Sequence, residues 1–474
     1  MATAGFWMLA LVATGLVATG LPAFIVLIGV SVLFATLGLA LGALPYPLLT
    51  ALPLRIVGLL ETDLLQALPL YVLMGALLNR LPLADMLFRT GNAALARTAA
   101  APLLSAVGLG ALIAPMNGSV GASVATLSRV VQPRLFARGV PAPQGLAVVC
   151  VASTLGVVVP PSLVLILLGD TMLRAHTEAV NATHALVRVI NTQDVVRGAL
   201  APAAIFLALA VVLAWRSGRH TARVAPEPVG WRDRVAALLA VALILGLFAA
   251  VIAGYLYAVE AAATGALALF VAGALTRALN ADVLAVVLRD TMAVTGALFA
   301  LFVAATTFTL VFRAFGTDQL LAALVDRIPG GAAGAAVATL VLVALCAFVL
   351  DAFEIILVII PLVMPPLLIR VPDAVWMATL VLLTLQASFL VPPFGYAVMM
   401  ARTTMVEPPG LRALALALAP FLAAQLLVLT LVVAWPGLTH LAEPAGKGEM
   451  PHSDADVQRR LESIMPAVPD ANAQ

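Results

Sequence analysis

The chain has 474 residues, 63% of them hydrophobic and 10% charged, with a mean hydropathy of +1.12. No soluble domain hides that much apolar surface, so lipid is the expected solvent and a water-soluble enzyme or binding module is excluded. The net charge of +2 comes from basic residues scattered through short loops, with no continuous stripe to meet a nucleic acid.

The N-terminus (Met1 to Gly5) has no basic residue, and an apolar run continues from about residue 6 to 42, interrupted at Gly20–Pro22. This predicts a first span and no cleaved signal peptide. Further apolar stretches fall at about 63–79, 99–128, 144–169, 198–215, 235–256, 261–276, 283–312, 331–369, 374–401 and 411–435. Pro82–Arg97 and Thr317–Arg327 are short and amphipathic. Each begins just past an Arg and carries an Asp five residues after it (Arg80 and Asp85, Arg313 and Asp318), which suits a helix lying along the interface. The long stretches are broken by Gly and Pro, and such breaks survive in a bilayer only where protein or a wet cavity satisfies the freed backbone.

Between Pro329 and Arg370 the only charges are Asp351 and Glu354. One helix of that length would run roughly 60 Å, about twice the hydrocarbon core. Two half-length helices meeting at Asp351 are expected instead. An ionisable group at membrane depth is expensive, so its default reading is functional. Cys150 and Cys346 lie far apart in apolar segments and read as small core hydrophobes. Residues 1–442 form the expected membrane domain, and 443–474 a polar, loose C-terminal tail.

Arginines set the expected orientation. Arg216, Arg219, Arg223, Arg232 and Arg234 follow one span, and Arg129–Arg138 holds three more. Both segments should be cytoplasmic, with two crossings between them. The segment 144–169 then runs outward and 374–401 inward, and the tail lies outside.

The chain also repeats itself. Pro392-Pro393 lies 232 positions after Pro160-Pro161, and the same step back from Asp351 lands on Ser119. Arg80/Asp85 and Arg313/Asp318 recur at nearly that offset. Each half is expected to hold a span, an amphipathic arm, a re-entrant hairpin and a helix broken just before Pro-Pro: about 45–197 and about 257–410, of opposite orientation, with the remaining spans as scaffold. Inverted repeats with paired broken helices point to alternating-access secondary transport, with the site at the midplane.

The breaks hold the candidate chemistry. Asn117-Gly118-Ser119 offers side-chain oxygens and a flexible joint, and Ser153-Thr154-Leu155-Gly156 does the same ahead of Pro160-Pro161. Unwound carbonyls and hydroxyls suit Na⁺, and half-helix N-termini suit a carboxylate. Thr384, Gln386 and Ser388 are the second-half counterparts; Gln386 reads equally as a ligand or as a tie between helices. Asp351 reads as an ion ligand, a helix N-cap, or both. Glu354 is expected to face a wet cavity or pair with a basic group, and Arg129 to anchor the hairpin at the interface. Candidate substrate contacts are Asn117, Ser123, Pro160, Glu354, Thr384 and Pro392. The histidines show no HExxH spacing, and there is no phosphate loop or GxSxG. An enzyme, an organic cofactor and ATP drive are not expected.

Asn117-Gly118-Ser119 through Pro133, Arg138-Gly139, Ser153-Thr154-Leu155-Gly156 and Pro160-Pro161-Ser162 resemble the large membrane subunit of TRAP (tripartite ATP-independent periplasmic) transporters. Asp351-Ala-Phe-Glu354, Pro361, Pro365 and Gln386-Ala-Ser388-Phe-Leu-Val-Pro392-Pro393-Phe394-Gly395 agree. That last string, with Leu168-Gly169-Asp170, is most similar to the mannitol/chloroaromatic-compound subgroup. The resemblance covers about residues 6 to 435. It implies an all-α polytopic protein of the bacterial inner membrane, of elevator-type ion-transporter architecture. It implies import of an organic acid driven by Na⁺, with a small membrane subunit and a periplasmic solute-binding protein. It places the first ion site at Asn117, Gly118, Ser119, Ser153, Thr154 and Gly156, and the second at Asp351, Gln386 and Ser388. Asn117 stands where the family commonly has Ser, Ser153 where it has Gly, Ser123 where it has Thr, Thr384 where it has Asn, and Val391 where a Thr is frequent. Two other readings stand beside it: a self-sufficient Na⁺- or H⁺-coupled carboxylate carrier, and a polytopic membrane enzyme.

Overall fold

The computed structural model describes residues 3–44, 47, 50–61, 63–183, 188–219 and 227–443, and every regular element among them is helical. The tail expected at 443–474 lies outside the described residues except for Glu443.

The N-terminal run is two helices, α1 (Ala4–Thr19) and α2 (Ala23–Ala40), parted at Gly20–Pro22 as expected. α3 (Leu52–Leu60) and α4 (Asp63–Arg80) lead to the first arm, α5 (Leu83–Ala94). A hairpin follows: α6 (Ala101–Ile113), a 3₁₀ turn at Ala114–Asn117, and α7 (Val120–Ala137). The first broken helix is α8 (Ala142–Val158) and α9 (Leu163–Thr183), interrupted at Pro160-Pro161.

Next come α10 (Thr192–Gly218), α11 (Trp231–Ala253), α12 (Ala258–Leu275), α13 (Ala281–Ala314) and the second arm, α14 (Thr317–Arg327). The second hairpin is α15 (Gly331–Cys346), a turn ending at Asp351, a π-type turn at Ile355–Ile359 and α16 (Ile360–Leu368). The second broken helix is α17 (Ala374–Phe389) and α18 (Tyr396–Thr403), interrupted at Pro392-Pro393, and α19 (Leu411–Ala434) closes the described chain. Both Pro-Pro bonds are cis. Among the described residues six stretches are long and apolar enough to cross a bilayer: Ala23–Ala40, Ala142–Thr183, Thr192–Gly218, Trp231–Ala253, Ala281–Ala314 and Leu411–Ala434.

The helices pack in two groups. α4 lies against α12 and α13, α2 against α13, and α11 against α12 and the arm α5. α8 and α17 form the centre of the other group, with nearly every side chain buried. Around them pack α6, α7, α10, α15, α18 and α19. The spans expected as scaffold at 198–256 and 411–435 do not pack as one group. α10 and α19 wrap α8 and α17, and of the three helices only α11 sits with the frame-like group. Gln425 and Trp376 bind α19 to α17 across this contact: Trp376 Nε1 donates to the Val432 carbonyl at 2.8 Å.

The two arginine-rich segments come together at one end of the molecule. Arg89 on the first arm reaches Asp233 at 3.2 Å, and Arg134 bonds Asp85 and lies 3.7 Å from Glu227. A common side for 129–138 and the start of α11 agrees with the orientation read from the arginine counts; Arg223 lies outside the described residues. Each arm is tied to its own hairpin, the first by Asp85–Arg134 and the second by Asp326–Arg370 at 2.7 Å.

Candidate functional site

The first hairpin turns on two backbone requirements. Gly118 has φ 75°, in the left-handed region where a side chain is strained. Gly156 of α8 passes so close that an added Cβ would stand 2.5 Å from the Ala114 carbonyl oxygen. The turn therefore seats directly on the broken helix. Ser119 then opens α7 as its N-cap, accepting from Ala122 N–H at 3.1 Å. Ser123 hydroxyl donates to the Ser119 carbonyl at 3.0 Å, and Asn117 Nδ2 reaches the Ser123 hydroxyl at 3.4 Å. This leaves Asn117 Oδ1 buried and without a donor among the described residues. An uncompensated buried carbonyl is costly, and here it points to a missing partner.

The second hairpin tip is a closed local motif. Asp351 caps the half-helix at Ala352, its Oδ1 accepting from Glu354 N–H at 2.9 Å, while Glu354 Oε2 accepts from Asp351 N–H at 3.0 Å. This capping box realises the N-cap reading of Asp351 and gives Glu354 a backbone partner at the tip in place of a basic group. Among the described residues Glu354 has no basic partner; its carboxylate folds back on the tip.

The two tips meet around one cavity of about 410 Å³, lined by Asn117, Gly118 and Ser119 from the first, Phe353 from the second, Leu163 from the broken helix, and residues of α4 and α13. Tyr396, at the start of α18, packs against the first turn of α7: its hydroxyl sits 3.0 Å from where Gly121 would carry a Cβ. The other expected residues divide. Ser153 and Thr154 donate to carbonyls of their own helix, Val149 at 2.7 Å and Val151 at 3.0 Å, and Ser388 to Thr384 at 2.8 Å. Thr384 Oγ1 is buried without a partner among the described residues. Pro160 is buried at its break and Pro392 half-buried at its own.

Gln386 faces elsewhere. Gln425 Nε2 donates both to the Leu383 carbonyl at 3.1 Å and to Gln386 Oε1 at 3.0 Å. A backbone carbonyl only accepts, so the Leu383 contact fixes which end of Gln425 is the nitrogen, and with it the orientation of Gln386. Gln386 thus ties α17 to α19, the second of the two roles open to it from sequence. Gln425, Tyr396 and Phe353 were not singled out by the sequence. A lone amide in the apolar run 411–435 is the signal that would have found Gln425.

The family of the Tripartite ATP-independent periplasmic transporter, DctM component, matches residues 7–438. The chain belongs to that family. It is an integral inner-membrane transporter component, not an enzyme, and the family works with a small membrane subunit and a periplasmic binding protein. No curated protein sequence matches it. Among solved structures, the Alcanivorax borkumensis YdaH transporter is similar at a TM-score of 0.60 with 17% identity, over 84% of this chain and 90% of that one. Neisseria gonorrhoeae MtrF, from a class of antimetabolite efflux pumps, gives 0.49 with 13% identity over 82% and 83%. The likeness to YdaH is one of fold.

Proposed function

We propose that the chain is the large subunit of a Na⁺-coupled, binding-protein-dependent importer of an organic acid, working by an elevator motion. One observation carries this reading: two hairpin tips share a cavity lined by Asn117, whose Oδ1 is buried with no donor among the described residues. A hard monovalent cation wants several oxygens without much fixed charge. Asn117 Oδ1, the carbonyls of the 3₁₀ turn and the hydroxyl of Ser119 supply them at the first tip. Asp351, with the hydroxyls of Thr384 and Ser388, is the corresponding set at the second. Gly118, Ser153, Thr154 and Gly156 shape the first set through backbone and packing, and Gln386 holds α17 in register. The substrate carboxylate would lie beside the N-terminus of α7, whose free N–H groups favour an anion; Ser123, Pro160, Glu354 and Pro392, which lie outside the lining of the cavity, would meet it only after the tips move. A volume of about 410 Å³ falls within the roughly 300–1,000 Å³ of small-ligand sites.

In this reading the halves at about 45–197 and 257–410 are inverted repeats. The hairpins and broken helices move as one block, taking α10 and α19 with them, against α1, α2, α4 and α11–α13. The family's tripartite make-up favours this over a carrier that needs no binding protein. The test is uptake of small radiolabelled carboxylates into vesicles holding both membrane subunits, with the binding protein outside. Uptake should follow an imposed Na⁺ gradient without ATP. Uptake unchanged when choline replaces Na⁺ would reject ion coupling, and uptake without the binding protein would favour the self-sufficient carrier.

A further inference from the structure

The cavity at the tips has a neighbour. It shares the lining residues Asn79, Arg80 and Arg129 with a second cavity of about 550 Å³, lined also by Pro82 and Asp85 at the first arm. Those three residues stand between the two cavities. Arg80 is neutralised there by Asp290 at 2.8 Å. Arg129 is not: among the described residues its guanidinium donates through Nη2 to the backbone carbonyl of Asn79 and meets no carboxylate. Of the acids lining the second cavity, Asp85 is taken by Arg89 and Arg134, and Asp282 on α13 has no salt bridge among the described residues. The exposed Arg129 guanidinium therefore lines both cavities without a salt bridge of its own among the described residues. It lies ten residues, about 15 Å along α7, from the Ser119 cap, and its side chain leans back towards that cap. Besides the interface anchoring read from sequence, the side chain lines both cavities.

We infer that Arg129 is a transit site for the carboxylate of the transported acid, between the tip cavity and the water on the arm side. This rests on the carboxylate reading above. The planar guanidinium keeps N–H donors free for paired bonding to a carboxylate, and its charge does not titrate. A positive charge beside the route to a site raises the local concentration of anions.

The test reads the charge of the passage without needing transport. In the assembled membrane complex, with Cys150 and Cys346 replaced by alanine, Ala125→Cys places a thiol in the upper cavity one turn from Arg129. Inside-out vesicles are treated with thiosulfonates of opposite charge, sulfonatoethyl and trimethylammonium-ethyl. The ratio of anionic to cationic labelling rates should fall about tenfold or more on adding Arg129→Gln and stay near the parent value with Arg129→Lys. A ratio unmoved by Arg129→Gln would overturn the proposal, as would labelling only from the opposite face. Maximal carboxylate uptake should also drop severalfold in Arg129→Gln at unchanged Na⁺ half-saturation. A failure of Na⁺-driven uptake in the parent would reject the coupling while leaving the labelling result intact.

Discussion

Replacing Asp351 by asparagine separates the capping role that the structure shows for this carboxylate from the ion-binding role proposed for it. As a cap, Asp351 accepts the Glu354 N–H at 2.9 Å, and an asparagine oxygen does this about as well. The fold should lose under about 0.5 kcal/mol, against about 1 kcal/mol for Asp351→Ala, where the cap itself is gone. Ion binding responds differently. Removing the charge from a cation site at membrane depth leaves the ion without its anionic ligand. Half-saturating Na⁺ should rise at least tenfold, about 1.4 kcal/mol of affinity. Glu354→Gln keeps the returning bond to Asp351 N–H and should shift Na⁺ dependence less. The assay is Na⁺ titration of uptake in reconstituted vesicles, with the melting temperature of the purified complex as the control for folding. A Na⁺ curve for Asp351→Asn that overlays the parent, at equal expression, would remove this carboxylate from the ion site.

Gly118→Ala forces a side chain into φ 75° and should destabilise the complex by about 1–2 kcal/mol; an unchanged melting temperature would contradict the left-handed turn. Gln425→Leu strands Gln386 Oε1 in the core and should cost on the order of 1 kcal/mol, whereas loss of ion affinity without loss of stability would give the pair a direct role in binding. His440, beyond the last span, bonds Glu443 at 2.8 Å and Asp373 at 2.9 Å. Burial alone would lower its pKa, but the two hydrogen-bonded carboxylates outweigh that and raise it above its ordinary 6.5. The clip's contribution is therefore complete below about pH 6.5 and lost as pH rises through the higher folded value. Comparing chemical denaturation of the parent and His440→Gln across pH 5.5–9 should show a gap that closes with rising pH; a gap that widens would reverse the assignment.

Much of this architecture is legible because broken helices leave marks that tertiary packing does not erase. Gly20–Pro22, Gly118, Asp351 and the two Pro-Pro pairs each fall where a helix stops. The arms are equally plain, since Pro82 and Gly316 precede short amphipathic runs. The candidate site is less legible. Thr384 and Ser388 are one turn apart, but Gln386 is two positions from each, close to the opposite face of a helix. The helical period alone argues against grouping all three, and Gln425, 39 residues away, completes the case. Arg129 illustrates the limit: its spacing fits an anchor or a lumen residue equally, and its place beside two cavities follows from the placement of α4 against α7. The packing of α10 and α19 onto the broken helices carries no local signal at all, because apolar faces that meet protein and lipid look alike in sequence.

Alternating access by a moving block is tested most directly by two distances measured in the assembled transporter. Spin labels at Leu238 of α11 and Leu426 of α19, both exposed on the outer faces of the two helix groups, span the expected sliding surface. A second pair at Leu426 and Leu342 of α15 lies within the block. Na⁺ with the carried acid should change the first distance by more than one helical turn, about 5.4 Å, and leave the second alone. Equal distances in both conditions, or a change confined to the second pair, would contradict an elevator and place the gating within the hairpins.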